Sequence, residues 1–251
     1  MATRQGAPVG FELGSYDPDA GLPFYTELFG WTVDDPVPEL GDYRTVRLDG
    51  KLVAGVNPAP THDGWLVLLA ASDAIETAAK VEQGGGTVES VPAPFGPFGA
   101  RADFVDPTGA PVSALQEGGQ PMLEVVREPG SVTWSELHTR DFSAAVPFYL
   151  EAFGWDAVDT LSDTDEFRMV TYPSGAGDDA IAGIYDAARD ELSPESLWNI
   201  YFEVADVDAS AAKVDELGGV VVVDPEDSPY GRLAFVMDPA GIPFWIMKPA
   251  A

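Results

Sequence analysis

The sequence of this 251-residue chain repeats itself, and the repeat constrains the fold more than any other feature. Residues 11–31 read FELGSYDPDAGLPFYTELFGW, and residues 135–155 read SELHTRDFSAAVPFYLEAFGW. Later motifs recur in the same order, so that FVDPTG at 104–109 is matched by VMDPAG at 236–241. A duplication of this length predicts two folding units of similar structure.

The repeat also sets the domain boundaries that we predict. The segment between the two copies is rich in glycine and proline, which is typical of a linker. We therefore expect a domain at 1–118, a linker at 119–131 and a second domain at 132–251. The second copy is longer than the first at 174–179 and at 189–196, and both insertions have loop-like composition.

Composition limits the location and the partners that we expect. No apolar run approaches the roughly 20 residues needed to span a bilayer, and the N-terminus lacks the apolar core of a signal peptide. A cytoplasmic monomer or homodimer without a membrane partner is the expectation. Cysteine is absent, which excludes disulfides, thiolate metal ligands and a cysteine nucleophile. The formal charge of −29 argues against nucleic-acid binding, and it is compatible with a soluble surface, high-salt adaptation or a cationic ligand.

Each copy of the repeat reads as two modules, each with one helix and three or four strands. An alternating stretch opens each copy and predicts a strand. Asp17 and Asp141 are suitable N-caps for the segments that follow, and Gly30 and Gly154 are expected to end these two helices. The helices of the second modules are expected to begin after Asp73 and Asp206.

The order of these motifs resembles that of a known superfamily. The pattern resembles that of the vicinal oxygen chelate superfamily: a strand, an aspartate-led turn, a helix with Phe-Tyr, then Phe-Gly-Trp and a later Asp-Pro-x-Gly. That superfamily includes glyoxalase I, bleomycin-resistance proteins and extradiol dioxygenases, and the chain looks like its tandem glyoxalase-like members in actinobacteria. The resemblance implies an α+β fold of two tandem glyoxalase-like domains. Each would consist of two βαβββ modules that form a curled sheet around a cleft.

The resemblance also implies a divalent metal, held by His, Gln or Glu on three strands of a domain. The corresponding positions in this chain, for the second and then the first copy, are Trp134, Asn199 and Trp245, and near Gly10, Leu66 and Ser113. None of these is an ordinary ligand for zinc, iron, nickel or manganese. We therefore expect neither a metal site nor a cofactor, and the glyoxalase I and dioxygenase activities are not expected to carry over.

Strand alternation predicts which residues share the face of the former ligand positions. The candidate ligand-binding residues are Trp134, Asn199, Tyr201, Glu203 and Trp245 of the second copy, with Glu12 of the first. The equivalent face of the first copy is small and apolar apart from Glu12. We therefore expect a specific site in the second domain rather than in both.

Glu136 and His138 are the candidate catalytic residues. A histidine can transfer a proton near neutral pH while a carboxylate orients or charges it. Residues i and i+2 of a strand are roughly 6–7 Å apart, so we expect the pair to share a substrate rather than to bond directly. The alternative is that Glu136, like its counterpart Glu12, is a structural carboxylate satisfied by backbone donors or by an arginine. Arg44 and Arg168, which match each other across the repeat, are the candidate arginines. His138 is matched by Gly14, so the fold does not require a histidine there.

These residues favour a metal-independent enzyme, a proton-transfer isomerase, cyclase or lyase that acts on an aromatic or polycyclic metabolite in the second cleft. His138 would be the acid and base, Glu136 would polarise it, and the aromatic residues would form the walls. One rival hypothesis is a non-catalytic protein that sequesters a drug or metabolite, as in the bleomycin-resistance branch. Another is a protein that acts only through surface contacts. A serine hydrolase is not expected, since no Gly-x-Ser-x-Gly motif occurs.

Overall fold

A computed structural model describes residues 3–155, 158–164, 167–173 and 180–250 of the chain. The predicted loop at 174–179 lies outside the described residues. Within the described residues, each copy of the repeat contains eight strands and two helices in two successive βαβββ modules. The α+β class predicted from the sequence is confirmed.

The first repeat holds modules one and two. The elements of module one are β1 (Pro8–Gly14), α1 (Pro18–Phe29), β2 (Thr32–Val33), β3 (Arg44–Leu48) and β4 (Lys51–Asn57). The elements of module two are β5 (Gly64–Ala70), α2 (Ala74–Gln83), β6 (Thr87–Pro94), β7 (Gly99–Val105) and β8 (Pro111–Glu117).

The second repeat holds modules three and four. The elements of module three are β9 (Val132–Thr139), α3 (Phe142–Ala152), β10 (Asp159–Asp163), β11 (Arg168–Tyr172) and β12 (Ala182–Asp186). The elements of module four are β13 (Leu197–Glu203), α4 (Val207–Glu216), β14 (Val220–Ser228), β15 (Gly231–Met237) and β16 (Pro243–Pro249).

Each repeat forms one mixed eight-stranded sheet. The strand order is β2-β3-β4-β1-β5-β8-β7-β6 in the first repeat, and β10-β11-β12-β9-β13-β16-β15-β14 in the second. In the first module of each sheet the first strand runs parallel to the last, so Glu12 lies opposite Gly55 and Glu136 opposite Gly183. The same order in both repeats confirms the tandem glyoxalase-like fold.

The helices begin where the sequence predicts. The side chains of Asp17 and Asp141 accept hydrogen bonds from backbone N–H groups of the first turn, and so do those of Asp73 and Asp206. Helix α1 ends at Gly30, whose φ of 73° is the left-handed conformation that glycine adopts without strain. Among the described residues, no helix is both long and apolar enough to cross a lipid bilayer.

Contacts within the chain define two compact units, and these do not follow the repeat. Unit 1 comprises Met1–Val9, Leu66–Pro121 and Ser135–Trp198, and unit 2 comprises Gly10–Trp65, Met122–Trp134 and Asn199–Ala251. Each unit therefore combines most of one module from the first repeat with most of the opposite module from the second. The domain boundaries drawn from the repeat remain a prediction.

A buried tyrosine and a buried aspartate hold unit 1 together. The Tyr149 hydroxyl donates to Asp106 Oδ2 at 3.0 Å and accepts from the Trp198 indole at 2.9 Å. Burial, reinforced by the charge of Asp106, raises the pKa of Tyr149 well above its ordinary value. The hydroxyl therefore stays a hydrogen-bond donor. Tyr149 belongs to the second repeat and Asp106 to the first.

Unit 2 contains the reciprocal pair. The Tyr25 hydroxyl donates to Asp238 Oδ2 at 3.0 Å and accepts from the Trp65 indole at 3.3 Å. Here the tyrosine comes from the first repeat and the aspartate from the second. The Phe-Tyr motif of each copy is thus completed by the Asp-Pro-x-Gly motif of the other copy.

Two tryptophans also make hydrogen bonds outside their own copy of the repeat. Trp155 of the second repeat donates to the carbonyl oxygen of Gly6, which precedes the first strand, at 3.0 Å. Trp31 of the first repeat donates to the carbonyl oxygen of Gly130, which precedes the second repeat, at 2.6 Å. Both rings are buried, as expected for packing residues.

Candidate functional site

Strand β9 presents Glu136 and His138 on one face, and the two side chains bond directly. His138 Nε2 lies 2.8 Å from Glu136 Oε1. His138 is 4% exposed and Glu136 is 9% exposed. The prediction that the pair would not bond was wrong, because the glutamate side chain is long enough to reach along the strand to the imidazole.

The second nitrogen of the imidazole binds a serine that the sequence analysis missed. His138 Nδ1 lies 2.7 Å from Ser193 Oγ, and Ser193 is also buried. Ser193 comes from the predicted insertion at 189–196, which is described by the structure. The insertion itself was visible in the sequence, but its fold over β9 was not. Glu136, His138 and Ser193 thus form one continuous hydrogen-bonded chain, named below the Glu–His–Ser chain.

For an ionised Glu136 and a neutral His138, the hydrogen-bonding capacity of the groups leaves one arrangement of the protons in this chain. An ionised carboxylate only accepts hydrogen bonds, so a neutral His138 bonded to it must carry its proton on Nε2. Nδ1 then has a free lone pair and accepts from the Ser193 hydroxyl. The carboxylate therefore makes Nδ1 the basic atom of the site, and Nδ1 is directed at Ser193.

Tyr185 packs against the imidazole. Its ring meets that of His138 edge to face, with the centroids 5.0 Å apart. Burial raises the pKa of Tyr185, and the negative charges of Asp190, Glu136 and Asp186 raise it further. Its hydroxyl is therefore uncharged over the physiological pH range.

Arg140 anchors the loop that carries Ser193. Its Nη1 donates to the backbone oxygens of Ala187, Asp190 and Ser193 at 2.6, 3.2 and 3.2 Å. Its backbone N–H donates to Ser196 Oγ at 2.9 Å. One residue at the end of β9 therefore ties the loop at four points and holds Ser193 over His138.

Among the described residues of the first repeat, no equivalent of the Glu–His–Ser chain is present. A Cβ atom on Gly14, the counterpart of His138, would lie only 2.4 Å from the backbone oxygen of His62. Tyr16, the counterpart of Arg140, donates to the backbone oxygen of Pro60 at 3.0 Å and ties down this shorter segment. Glu12 is 1% exposed and accepts instead from Asn57 Nδ2 at 3.2 Å.

The arginines considered as partners for the two glutamates engage other carboxylates. Arg168 pairs with Asp163 at 3.0 Å, and its guanidinium lies over the Phe142 ring. Arg44 pairs with Asp19 at 2.7 Å. The contacts described above for Glu136 and Glu12 are made by His138 and Asn57, respectively.

Three of the predicted ligand-binding residues meet in unit 2. The rings of Tyr201 and Trp245 stack with centroids 5.3 Å apart and an interplanar angle of 9°. The Trp245 indole donates to Asn199 Oδ1 at 3.2 Å. The ring of Phe235 also packs against that of Trp245, with the ring centroids 4.8 Å apart. These four residues form an aromatic cluster with a polar edge.

The other predicted residues are placed as follows. Trp134 lies half-buried on β9, and Glu203 lies half-buried at the end of β13. The backbone of Glu203 bonds to Ser131 and to Gly130. Glu12 lies on β1 with Asn57, as described above.

A buried polar cluster in the first repeat was missed by the sequence analysis, which described this face as small and apolar. Arg101 Nε lies 2.7 Å from Asp103 Oδ1, and the hydroxyls of Ser90 and Ser113 also donate to Asp103. Burial alone would raise the pKa of Asp103, but Arg101 and these hydroxyls hold the pKa below its ordinary value. The cluster takes the place that Phe235 and Trp245 occupy in the second repeat.

The former metal-ligand positions do not suit a divalent cation. Two of the three in the second repeat are tryptophans, and the oxygen of Asn199 accepts from Trp245. In the first repeat the Ser113 hydroxyl is bonded to Asp103. Within the part of the chain that the structure describes, no group of three or more His, Asp or Glu side chains is placed to hold a metal ion.

An open cavity of about 370 Å³ lies elsewhere in unit 1. Its walls include Gln5, Ser72, Gln116 and Glu117. None of the predicted site residues lines it, so it has no part in the site described here.

Relatives and solved structures place this chain in a family. The family model described as "Glyoxalase/Bleomycin resistance protein/Dioxygenase superfamily" matches residues 131–246. The anthracycline biosynthesis protein DnrV of Streptomyces peucetius is 37% identical over 265 aligned positions, which cover 97% of this chain and 93% of DnrV.

Solved structures agree on the fold. The Mn(II)-bound glyoxalase from Novosphingobium aromaticivorans has a TM-score of 0.64 at 19% identity, over 98% of this chain and 83% of the glyoxalase. The 2,3-dioxygenase LapB from Pseudomonas sp. KL28 has a TM-score of 0.66 at 12% identity, over 99% of this chain and 94% of LapB. The family match at residues 131–246 and the similarity to DnrV, together with this fold, show that the chain belongs to the glyoxalase/bleomycin resistance protein/dioxygenase superfamily.

Proposed function

We propose that this protein is a metal-independent enzyme of secondary metabolism that moves a proton within an aromatic or polycyclic metabolite. The reaction class is an isomerisation, cyclisation or elimination, and the site lies in the second repeat. His138 is the acid and base, and Glu136 sets its tautomer and stabilises its charged form.

The observation that carries the proposal is the Glu–His–Ser chain. All three side chains are buried, and the distances of 2.8 and 2.7 Å are those of well-formed hydrogen bonds. A carboxylate that is bonded to one imidazole nitrogen favours protonation at the other, as general acid–base catalysis requires. The scaffold does not need this arrangement, because the first repeat has Gly14 in place of His138.

Two observations support the class of substrate. The relative DnrV is named for the biosynthesis of anthracyclines, compounds that are built on fused rings. The second is the pair of Tyr201 and Trp245 in unit 2, aromatic side chains of the kind that stack on such rings. The ligand-binding roles predicted for Trp134, Asn199, Tyr201, Glu203, Trp245 and Glu12 remain a separate proposal for unit 2, because Glu136, His138 and Ser193 belong to unit 1.

Metal independence is proposed from the residues at the former ligand positions. We expect native mass spectrometry of freshly purified protein to give the mass of the chain alone, or of the chain with an organic ligand. A stoichiometric divalent ion in that spectrum would overturn this part of the proposal.

Deuterium exchange tests the reaction without knowledge of the natural substrate. The probes are 1-tetralone, 2-tetralone and anthrone, fused-ring ketones whose acidic C–H positions exchange with D₂O when a base removes and returns a proton. We expect the wild type to accelerate exchange at one of these positions. The His138→Gln variant should lose about 10²- to 10⁴-fold of that acceleration, the usual contribution of a general acid–base residue.

His62→Gln is the matched control, since His62 and His138 are the two histidines of the chain. It should exchange the probes at the wild-type rate. No acceleration with any probe, or equal rates in wild type and His138→Gln, would contradict the proposed function.

The second candidate function is sequestration of a cationic drug or metabolite without turnover. The formal charge of −29 favours it, because a field of that sign concentrates cations near the surface. Capture of this kind should weaken steeply as ionic strength rises, since salt screens exposed charges over about 10 Å at 0.1 M. Binding of a neutral fused-ring ketone that is insensitive to salt would favour the enzyme instead.

A further inference from the structure

We infer that Ser193 is a catalytic residue, and that its hydroxyl rather than the imidazole of His138 exchanges the proton with the substrate. This inference rests on the proposed function and names a new residue of the same site. It follows from the bonds that His138 already makes.

Both ring nitrogens of His138 are occupied within the protein. Nε2 bonds to Glu136 and Nδ1 bonds to Ser193, and the ring is 4% exposed. A substrate could reach either nitrogen only by breaking one of these bonds, which would leave a polar group unsatisfied. Ser193 is also buried, at 7% exposed, but its hydroxyl gives only its proton to Nδ1 and its oxygen keeps lone pairs that can accept from a substrate. The proton must therefore enter and leave the ring through one of its two partners.

Ser193 is the better of these two partners for a functional role. Glu136 has the counterpart Glu12 in the first repeat, where no histidine follows and the carboxylate bonds to Asn57. A residue present in both copies serves the common scaffold. Ser193 lies in a loop that lengthens only the second copy, and it occurs together with His138.

The loop is also built to hold Ser193 still. Arg140 donates to three carbonyl oxygens of the 187–193 segment, including that of Ser193 itself. A hydroxyl fixed in this way needs little reorganisation to receive a proton. In the counterpart loop of the first repeat, the Tyr16 hydroxyl donates to one carbonyl oxygen, that of Pro60.

The proton transfer balances without any further reactant. Ser193 Oγ takes a proton from an acidic carbon of the substrate while its own proton passes to His138 Nδ1. The imidazolium that forms is paired with the carboxylate of Glu136. Return of the proton to a different carbon of the substrate regenerates the hydroxyl and the neutral imidazole.

The hydrogen bond can be tested without a substrate by ¹⁵N NMR of histidine-labelled protein. In a His62→Gln background, the spectrum reports His138 alone. We expect the neutral ring to be the Nε2–H tautomer. In Ser193→Ala the Nδ1 resonance should move towards that of an unbonded lone pair while Nε2 stays unchanged.

Ser135→Ala is the matched control for the NMR experiment. Ser135 is a buried serine on the same strand as His138, at a position of opposite parity. Its removal should leave both ring resonances in place. An Nδ1–H tautomer, or an Nδ1 resonance that ignores Ser193→Ala, overturns the inference.

The deuterium-exchange assay then tests the role of the hydroxyl. Ser193→Ala should lower the catalysed exchange at least tenfold with little change in ligand affinity, and Ser193→Thr should restore part of it. Exchange at the wild-type rate in Ser193→Ala overturns the role of Ser193 while the proposed function stands. If the NMR result is as expected but the wild type catalyses no exchange, the proposed function fails and the hydrogen bond between Ser193 and His138 stands.

Discussion

At the scale of single residues, the comparison of Gly14 with His138 shows how one scaffold position serves two purposes. In the first repeat the space above β1 is filled by backbone, and a Cβ atom on Gly14 would be 2.4 Å from the oxygen of His62. In the second repeat the longer loop leaves room for an imidazole and supplies Ser193 to bind it. The length of the loop after β4 or β12 therefore decides whether a side chain can be placed there.

A substitution at Gly14 tests this explanation. We expect Gly14→Ala to lower the free energy of unfolding by about 1–3 kcal/mol, the usual cost of overpacking. The measurement is urea denaturation followed by tryptophan fluorescence. Gly21→Ala in helix α1 is the control, because a Cβ atom there meets no atom within 4 Å. It should leave stability unchanged or raise it by up to about 1 kcal/mol.

The ion pair of Arg101 and Asp103 gives a prediction on pH. The pKa of Asp103 is lowered from its ordinary value of 3.8, so its contribution to stability is present above pH 3.8 and is lost as the pH falls through the lowered pKa. Asp103→Asn should therefore be less stable than wild type by about 3 kcal/mol at pH 7. The difference should shrink in the most acidic part of the range, below pH 3.8.

Asp163→Asn is the control for that experiment, since Asp163 is exposed and pairs with Arg168 at the surface. Its cost should stay below about 1 kcal/mol at every pH. A difference for Asp103→Asn that is constant from pH 7 to pH 2 would show that its carboxylate contributes no pH-dependent stability.

At the scale of elements, sequence patterns predicted the helices better than the outer strands. Each helix has an aspartate at its N-terminus and apolar residues at helical spacing, and both signals are local. Strands β6 and β14 were not marked individually. Their burial alternates only between exposed and half-buried, and β6 contains two prolines. Both are edge strands that pair only with the next strand along the chain, β7 or β15, so neither has the buried apolar face that marks a strand in the sequence.

The functional loop escaped prediction for a similar reason. The insertion at 189–196 was recognised as a loop, but nothing in its composition says that it folds over β9. Its position depends on the bonds that Arg140 makes to its backbone oxygens, and any loop sequence offers such oxygens. The residues of β9 were predictable because strand parity is local, whereas Ser193 depends on a long-range contact.

Removal of the Arg140 guanidinium should free this loop without unfolding the protein. We expect Arg140→Ala to speed hydrogen exchange of the backbone amides at 187–196 at least tenfold, with a small change in melting temperature. It should also lower the catalysed exchange of the fused-ring ketones. Tyr16→Phe is the matched control in the first repeat and should loosen only the segment around Pro60. Unchanged protection of 187–196 in Arg140→Ala would contradict the anchoring role.

At the scale of the whole molecule, each copy of the repeated motifs bonds to the other copy rather than to itself. Tyr149 and Asp106 come from different repeats, and so do Tyr25 and Asp238. The sequence showed that these motifs recur, but a repeat alone does not reveal whether each copy is completed by itself or by the other. Both arrangements bury the same residues, and only the three-dimensional contacts distinguish them.

A divided chain tests the exchange. We expect separately expressed fragments 1–121 and 122–251 to be unstable, because each lacks the partner of its own tyrosine. Co-expression should give a 1:1 complex of both fragments, measured by native mass spectrometry and light scattering. In the complex, Tyr149→Phe should weaken association, since it leaves the buried carboxylate of Asp106 without that donor. Two separately stable monomers would contradict this prediction.

The exchange of motifs also sets the order in which a growing chain can acquire its structure. Unit 1 includes residues up to Trp198, and unit 2 includes residues up to Ala251. While the ribosome is still making the second repeat, Tyr25 and Phe24 of the first repeat have not yet met Asp238 and Phe244, which cover them in the finished protein. Synthesis must therefore be nearly complete before the first helix is buried, and until then the nascent chain presents an apolar surface that chaperones can recognise.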